Sequence, residues 1–65
     1  MRLNKTKLLF LMADLGLKQD DIAKSAGMTK GNLSTIINGK RCRPETAYRI
    51  AKALGVTAAE IFDVD

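Results

Sequence analysis

The sequence predicts an all-α fold, with five short helices in one domain. Three observations predict it. Apolar residues recur at helical spacing, as in Leu8, Leu11, Met12 and Leu15 at i, i+3, i+4 and i+7. Capping and stop residues punctuate the apolar runs and leave only short connections between them. The chain has no repeat, linker or low-complexity stretch that would argue for another architecture.

The elements follow in order. The first helix spans about residues 4–15, with Asn4 as its N-cap and Gly16 past its end. Its inward stripe is Leu8, Leu11, Met12 and Leu15. The second spans about residues 19–25, and Asp20 and Asp21 lie in its first turn, where the helix dipole favours negative charge. The third starts after Thr29, a good N-cap, and ends near Asn38 with Gly39 as its stop. A loop over residues 39–43 leads to Pro44, which suits the first turn of a fourth helix ending at Leu54 before Gly55. Ala47, Ile50, Ala51 and Leu54 form its inward face. Thr57 and Glu60 have capping-box spacing for a short fifth helix, packed down by Ile61 and Val56.

Composition bounds what such a chain can do. Sixty-five residues make one small domain, residues 1–65. A chain of this size buries only about 60% of its unfolded surface, so the core must be efficient. With one Cys and no His, no disulfide or metal cluster is expected, and the lone Cys42 fits a reducing compartment. Met1 to Ala13 faintly resembles a secretory leader, but the apolar run is short and Asp14 ends it. No stretch has the length of a transmembrane helix. The expectation is a soluble, cytoplasmic protein with no membrane association.

Net charge is +4, and its distribution is uneven. Between Lys30 and Arg43 stand Lys30, Lys40, Arg41 and Arg43 with no acidic residue, whereas Glu60, Asp63 and Asp65 close the chain with no basic one. One face should attract polyanions and the C-terminal end should not.

The segment over residues 19–38, QDDIAKSAGMTKGNLSTIIN, carries the most information. Ala23 stands four residues before Gly27, small enough for a second helix to approach closely. Gly27 supplies the positive φ that a tight turn after a helix needs. Ile22, Ala26, Met28, Leu33 and Ile36 are the positions buried when two short helices meet at a corner. This is the pattern of a helix-turn-helix unit, whose second helix lies in the DNA major groove.

With these residues in place, the sequence resembles the Cro/lambdoid-repressor-like family, also called the xenobiotic-response-element family. The resemblance runs over residues 17–62. It is carried by Leu17 and Gln19, Ile22-Ala23, Gly27, Thr29, Asn38-Gly39-Lys40, Pro44, and the run Ile50-Ala51-Lys52-Ala53-Leu54-Gly55-Val56. It implies a compact five-helix lambda-repressor-like DNA-binding domain, with the helix-turn-helix unit at helices 2 and 3. Such domains usually bind partly palindromic operators as dimers and regulate transcription. Two departures stand out. Where the family often pairs an Arg in the first helix with a Glu near the end of the third, this sequence has Met12 and Ile37, so an apolar contact is expected there. Leu9 and Phe10 stand where the family usually carries polar residues; they are either incidental or a self-association or partner patch. Phe62 shares that ambiguity.

Helical geometry divides the third helix. Leu33, Ile36 and Ile37 point inward, leaving Lys30, Gly31, Ser34, Thr35 and Asn38 on the outer side. The family's base-reading positions match Lys30, Gly31, Ser34 and Thr35. Lys30 can donate to guanine, and Thr35 can hydrogen-bond or touch a thymine methyl. Gly31 either permits close backbone approach or leaves a base pair unread. Gln19 matches the family's phosphate contact at a helix N-terminus. Thr29, Asn32, Asn38, Lys40, Arg41 and Arg43 are the other candidates for backbone contact. Arg41 or Arg43 could enter a narrow minor groove. Asn38 also suits a helix C-cap. Cys42, between two arginines, is expected to have a lowered pKa and is either reactive or incidental. Tyr48 can bury its ring and send its hydroxyl either to the surface or to a phosphate, and the sequence leaves that open.

An enzyme is not expected, because there is no His, no phosphate-cradling Gly-rich loop and no carboxylate cluster beyond Asp20-Asp21. Neither a cofactor nor a small-molecule ligand is implied. The leading expectation is a sequence-specific regulator of double-stranded DNA, a repressor acting as a homodimer. The alternatives are an antitoxin-type or partner-binding module that represses its own promoter, and a general RNA-associated or coactivator-type module.

Overall fold

In the computed structural model, residues 1–64 are described. Helices α1 (Lys5–Leu15), α2 (Gln19–Ala26), α3 (Lys30–Ile37), α4 (Pro44–Leu54) and α5 (Ala58–Ile61) follow one another through short connections. They are joined by two short strands, β1 (Arg2–Leu3) and β2 (Phe62–Asp63).

Local chemistry sets the helix ends. Asn4 Oδ1 accepts the Lys7 N–H at 3.1 Å, and Thr29 Oγ1 accepts the Asn32 N–H at 3.1 Å, satisfying first-turn donors. Asp21 Oδ2 reaches back to the Lys18 N–H at 2.9 Å, and Glu60 Oε2 to the Thr57 N–H at 3.0 Å. Pro44 occupies the first turn of α4. At the corner between α2 and α3, Gly27 adopts φ 69° and the Met28 N–H closes onto Ala23 O at 3.0 Å. The sharp turn therefore has its orphan carbonyls occupied.

The core gathers one face of each helix. Leu8, Ile22, Leu33, Ile50 and Ile61 are fully buried, with Ala23, Ala26, Ala47 and Ala51 as the small residues between them. Those alanines let α2 lie closely against α3 and α4. Met12 lies partly buried against the cluster that includes Ile37, an apolar setting at both positions where the family's ion pair would stand. Leu17, Met28 and Val56 close the periphery.

The five helices are those of the expected all-α fold, and one short pairing adds to them: β1 and β2 run antiparallel, with Arg2 opposite Asp63 and Leu3 opposite Phe62. Two expectations, on Phe62 and Leu15, need correction. The Asn4 N–H extends the link to Ile61 O at 2.7 Å. Phe62 is consequently buried beside Leu3 in the core and offers no surface to a partner. Leu15 is 49% exposed rather than inward, because it lies in the last turn of α1, beyond the layer that covers Leu8. Leu9 and Phe10 stand exposed at 51% and 69%. Asp65, the last of the acidic C-terminal residues, lies outside the described residues.

Candidate nucleic-acid interface

The α2–α3 corner turns the outer side of α3 to solvent. Thr29, Lys30, Gly31, Asn32, Thr35 and Asn38 are exposed, and Ser34 is half-buried. Opposite them Leu33, Ile36 and Ile37 are buried, so the helix divides at the angles its sequence implies. Asn38 is the C-cap of α3, its N–H bonded to Ser34 O at 3.0 Å, and its side chain is exposed.

Two polar details define what this face presents. Lys30 Nζ lies 3.2 Å from Asp20 Oδ1, which brings the first turn of α3 beside the first turn of α2. Gln19, the first residue of α2, is half-buried on that side. The Thr35 hydroxyl donates its proton into its own helix, to Gly31 O at 2.7 Å and Asn32 O at 3.1 Å. What Thr35 turns outward is thus a methyl group and oxygen lone pairs. Gly31 has no positive φ, and a Cβ built on it would meet nothing within 4 Å.

The other flank of α3 is a cleft of about 690 Å³ between α2, α3, the 39–43 loop and α4. Lys24, Lys40, Arg41, Arg43 and Arg49 line it, with no acidic side chain. Thr29, Asn32 and Thr46 add polar groups, over a floor of Ala23, Ala26, Met28 and Ile36. A concave surface of one charge sign focuses its field and attracts polyanions. Five of the seven predicted backbone-contact residues (Thr29, Asn32, Lys40, Arg41, Arg43) converge here, whereas Gln19 and Asn38 lie elsewhere on the α3 surroundings. Lys24 and Arg49 were missed in the sequence. Arg43, Thr46 and Arg49 recur every three residues from the N-cap of α4, which sets Arg49 on the side of Arg43, but no local signal joins Lys24 to them.

Cys42 reverses its expected chemistry. Partial burial raises its thiol pKa, with a smaller lowering from the positive N-terminus. Tyr48 is 60% exposed, and Lys52 Nζ lies 5.9 Å from its ring centroid, so the ring is not a core group.

Residues 7–65 match the family described as Cro/C1-type HTH DNA-binding domain. The chain belongs to that family. This Cro/C1-type protein is therefore a DNA-binding transcription regulator whose partner is double-stranded DNA, and its five helices and α2–α3 corner are the fold the family requires. No curated protein and no solved structure matches the Cro/C1-type chain. Among its described residues, no group of three or more His, Cys, Asp or Glu side chains could hold a metal ion. No described helix is long and apolar enough to cross a membrane.

Proposed function

We propose that the protein is a sequence-specific repressor that binds a partly palindromic operator as a homodimer, in the cytoplasm. The observation that carries the reading is the placement of the open α3 face between the first turn of α2 and the acid-free basic cleft. A helix seated in a major groove needs that division, with base edges beneath it and a phosphate track on each flank. Lys30, Gly31, Ser34 and Thr35 then face the bases. Gln19 holds one phosphate track, and Thr29, Asn32, Lys40, Arg41 and Arg43 the other, with Asn38 at the helix end. Two copies on one duplex face would contact half-sites about 34–36 Å apart.

The test is selection of bound duplexes from a random library, followed by titration of the selected sequence at two salt concentrations. An enriched two-fold symmetric site supports the dimeric operator reading. Binding without enrichment would leave only the electrostatic attraction and remove the claim of sequence specificity.

The exposed, adjacent Leu9 and Phe10 favour one second reading, an autoregulating module that also binds a partner protein. Co-purification of a stoichiometric small protein, lost in Phe10→Ser, would support it over a stand-alone regulator.

A further inference from the structure

Two hydrogen bonds join residues forty-one positions apart in the chain. The Cys42 N–H donates to Met1 O at 2.8 Å, and Met1 N donates to Cys42 O at 3.1 Å. Such a reciprocal exchange is the hydrogen-bonded pair of an antiparallel ladder. The same N-terminal segment pairs with β2 through Leu3 and Phe62. It is therefore held at one end by the C-terminal strand and at the other by the basic loop between α3 and α4.

This pairing orients the loop's side chains. In extended backbone, the two neighbours of a residue point to the face opposite its own side chain. Arg43 is extended, at φ −76° and ψ 155°. Cys42 packs partly against the core at the floor of the cleft, while Arg41 and Arg43 are exposed and line the cleft on either side of it in sequence. A loop ordered before binding loses less conformational freedom when its arginines meet a phosphate.

We propose that the Met1–Leu3 segment is a positioning element for the DNA-backbone contact. Its pairing with Cys42 holds Arg41 and Arg43 side by side, toward the phosphates. The inference rests on the DNA-binding reading of the cleft and assigns the N-terminal segment a part in it.

Two altered chains test this. The first lacks Met1 and Arg2 and begins at Leu3→Met, which keeps an apolar side chain of similar volume in the core but removes the Met1 carbonyl. The second is a synthetic chain with an ester in place of the peptide bond before Cys42, which deletes that N–H alone. Both are compared with the parent at a temperature where circular dichroism shows each one folded. The shortened chain should exchange its Cys42 amide faster. Both should bind non-operator duplex about tenfold more weakly, with a salt slope shallower by about one to two units, one for each arginine contact loosened. Arg2→Ala and Val56→Ala, the latter at a partly buried position against the core, should keep the parent's slope, which separates the loss of positioning from a loss of charge and from a general loss of stability.

If Arg2→Ala reproduces the whole loss, the effect is one of charge and the positioning role is overturned. An unchanged slope in both altered chains overturns it as well. A parent that binds no duplex at any salt concentration removes the DNA reading itself, before any variant is compared.

Discussion

Lys30 Nζ lies 3.2 Å from Asp20 Oδ1, so the first turn of α3 is tied to the first turn of α2. The side chains of this pair are 64% and 67% exposed, and an exposed pair contributes at most about 1 kcal/mol. It can orient Lys30 without holding it against a guanine or a phosphate. Asp20 also places a negative charge beside the surface that DNA must approach. Asp20→Asn should therefore strengthen binding to duplexes of any sequence by about threefold at low salt, measured by fluorescence anisotropy. Weaker binding would show instead that Lys30 depends on Asp20 for its geometry.

Gly31 lies within α3 with open space where a Cβ would stand. Its helical backbone carries the entropic cost of glycine without any steric need for it. Gly31→Ala should stabilise the fold by about 0.5–1 kcal/mol, a rise in Tm of about 2–8 °C for a domain of this size. Operator affinity should change little if the residue leaves its base pair unread. A large loss of affinity in the more stable variant would show that the backbone at 31 lies against DNA.

Because the Thr35 proton is committed to Gly31 O and Asn32 O, the side chain can meet a base only through its methyl or as an acceptor, and a thymine methyl is the partner its methyl suits. Thr35→Val keeps a methyl in that place and should preserve the base preference found by library selection. Thr35→Ala should relax it at one base pair per half-site, by about 1 kcal/mol or more. If the two variants behave alike, the methyl is not what is read.

Much of this architecture was legible because its signals are local. Asn4, Thr29, Glu60 and Pro44 mark helix starts through chemistry confined to four residues, and Gly27 marks the corner through backbone sterics. What escaped depends on residues distant in sequence. Arg2–Leu3 and Phe62–Asp63 are too short to show strand alternation, and only their mutual pairing makes them strands and buries Phe62. Leu15 shares its stripe with Leu8, but periodicity tells which face is apolar, not how far the covering layer reaches. Lys24 and Arg49 belong to α2 and α4, and only the packing of those helices brings them to one cleft.

Cys42 illustrates the same limit and carries its own prediction. Two flanking arginines suggest a depressed thiol pKa, but burial raises it and outweighs the lowering by the positive N-terminus. The folded pKa is raised, so the thiol helps stability below the unfolded value and loses that contribution as pH rises through the folded one. Denaturation midpoints should fall from about pH 8.5 upward, and Cys42→Ala should flatten that part of the profile. Alkylation of the native thiol at pH 8 should be slower than that of a free cysteine. A faster reaction would restore the reactive-thiol reading.

Lys24 and Arg49 line the cleft opposite the loop cations, with no acidic neighbour among its lining residues. If a phosphate track runs along this cleft, both should release counterions on binding. Replacing both with Ala should weaken operator and non-operator duplexes alike and make the salt slope shallower by about two units, since each phosphate contact contributes about 0.9. Base preference should stay that of the parent, because neither side chain is on the α3 face. Both are exposed, so Tm should hardly move. An unchanged slope would confine the backbone contact to Lys40, Arg41 and Arg43, and a changed base preference would mean that the cleft helps set how α3 enters the groove.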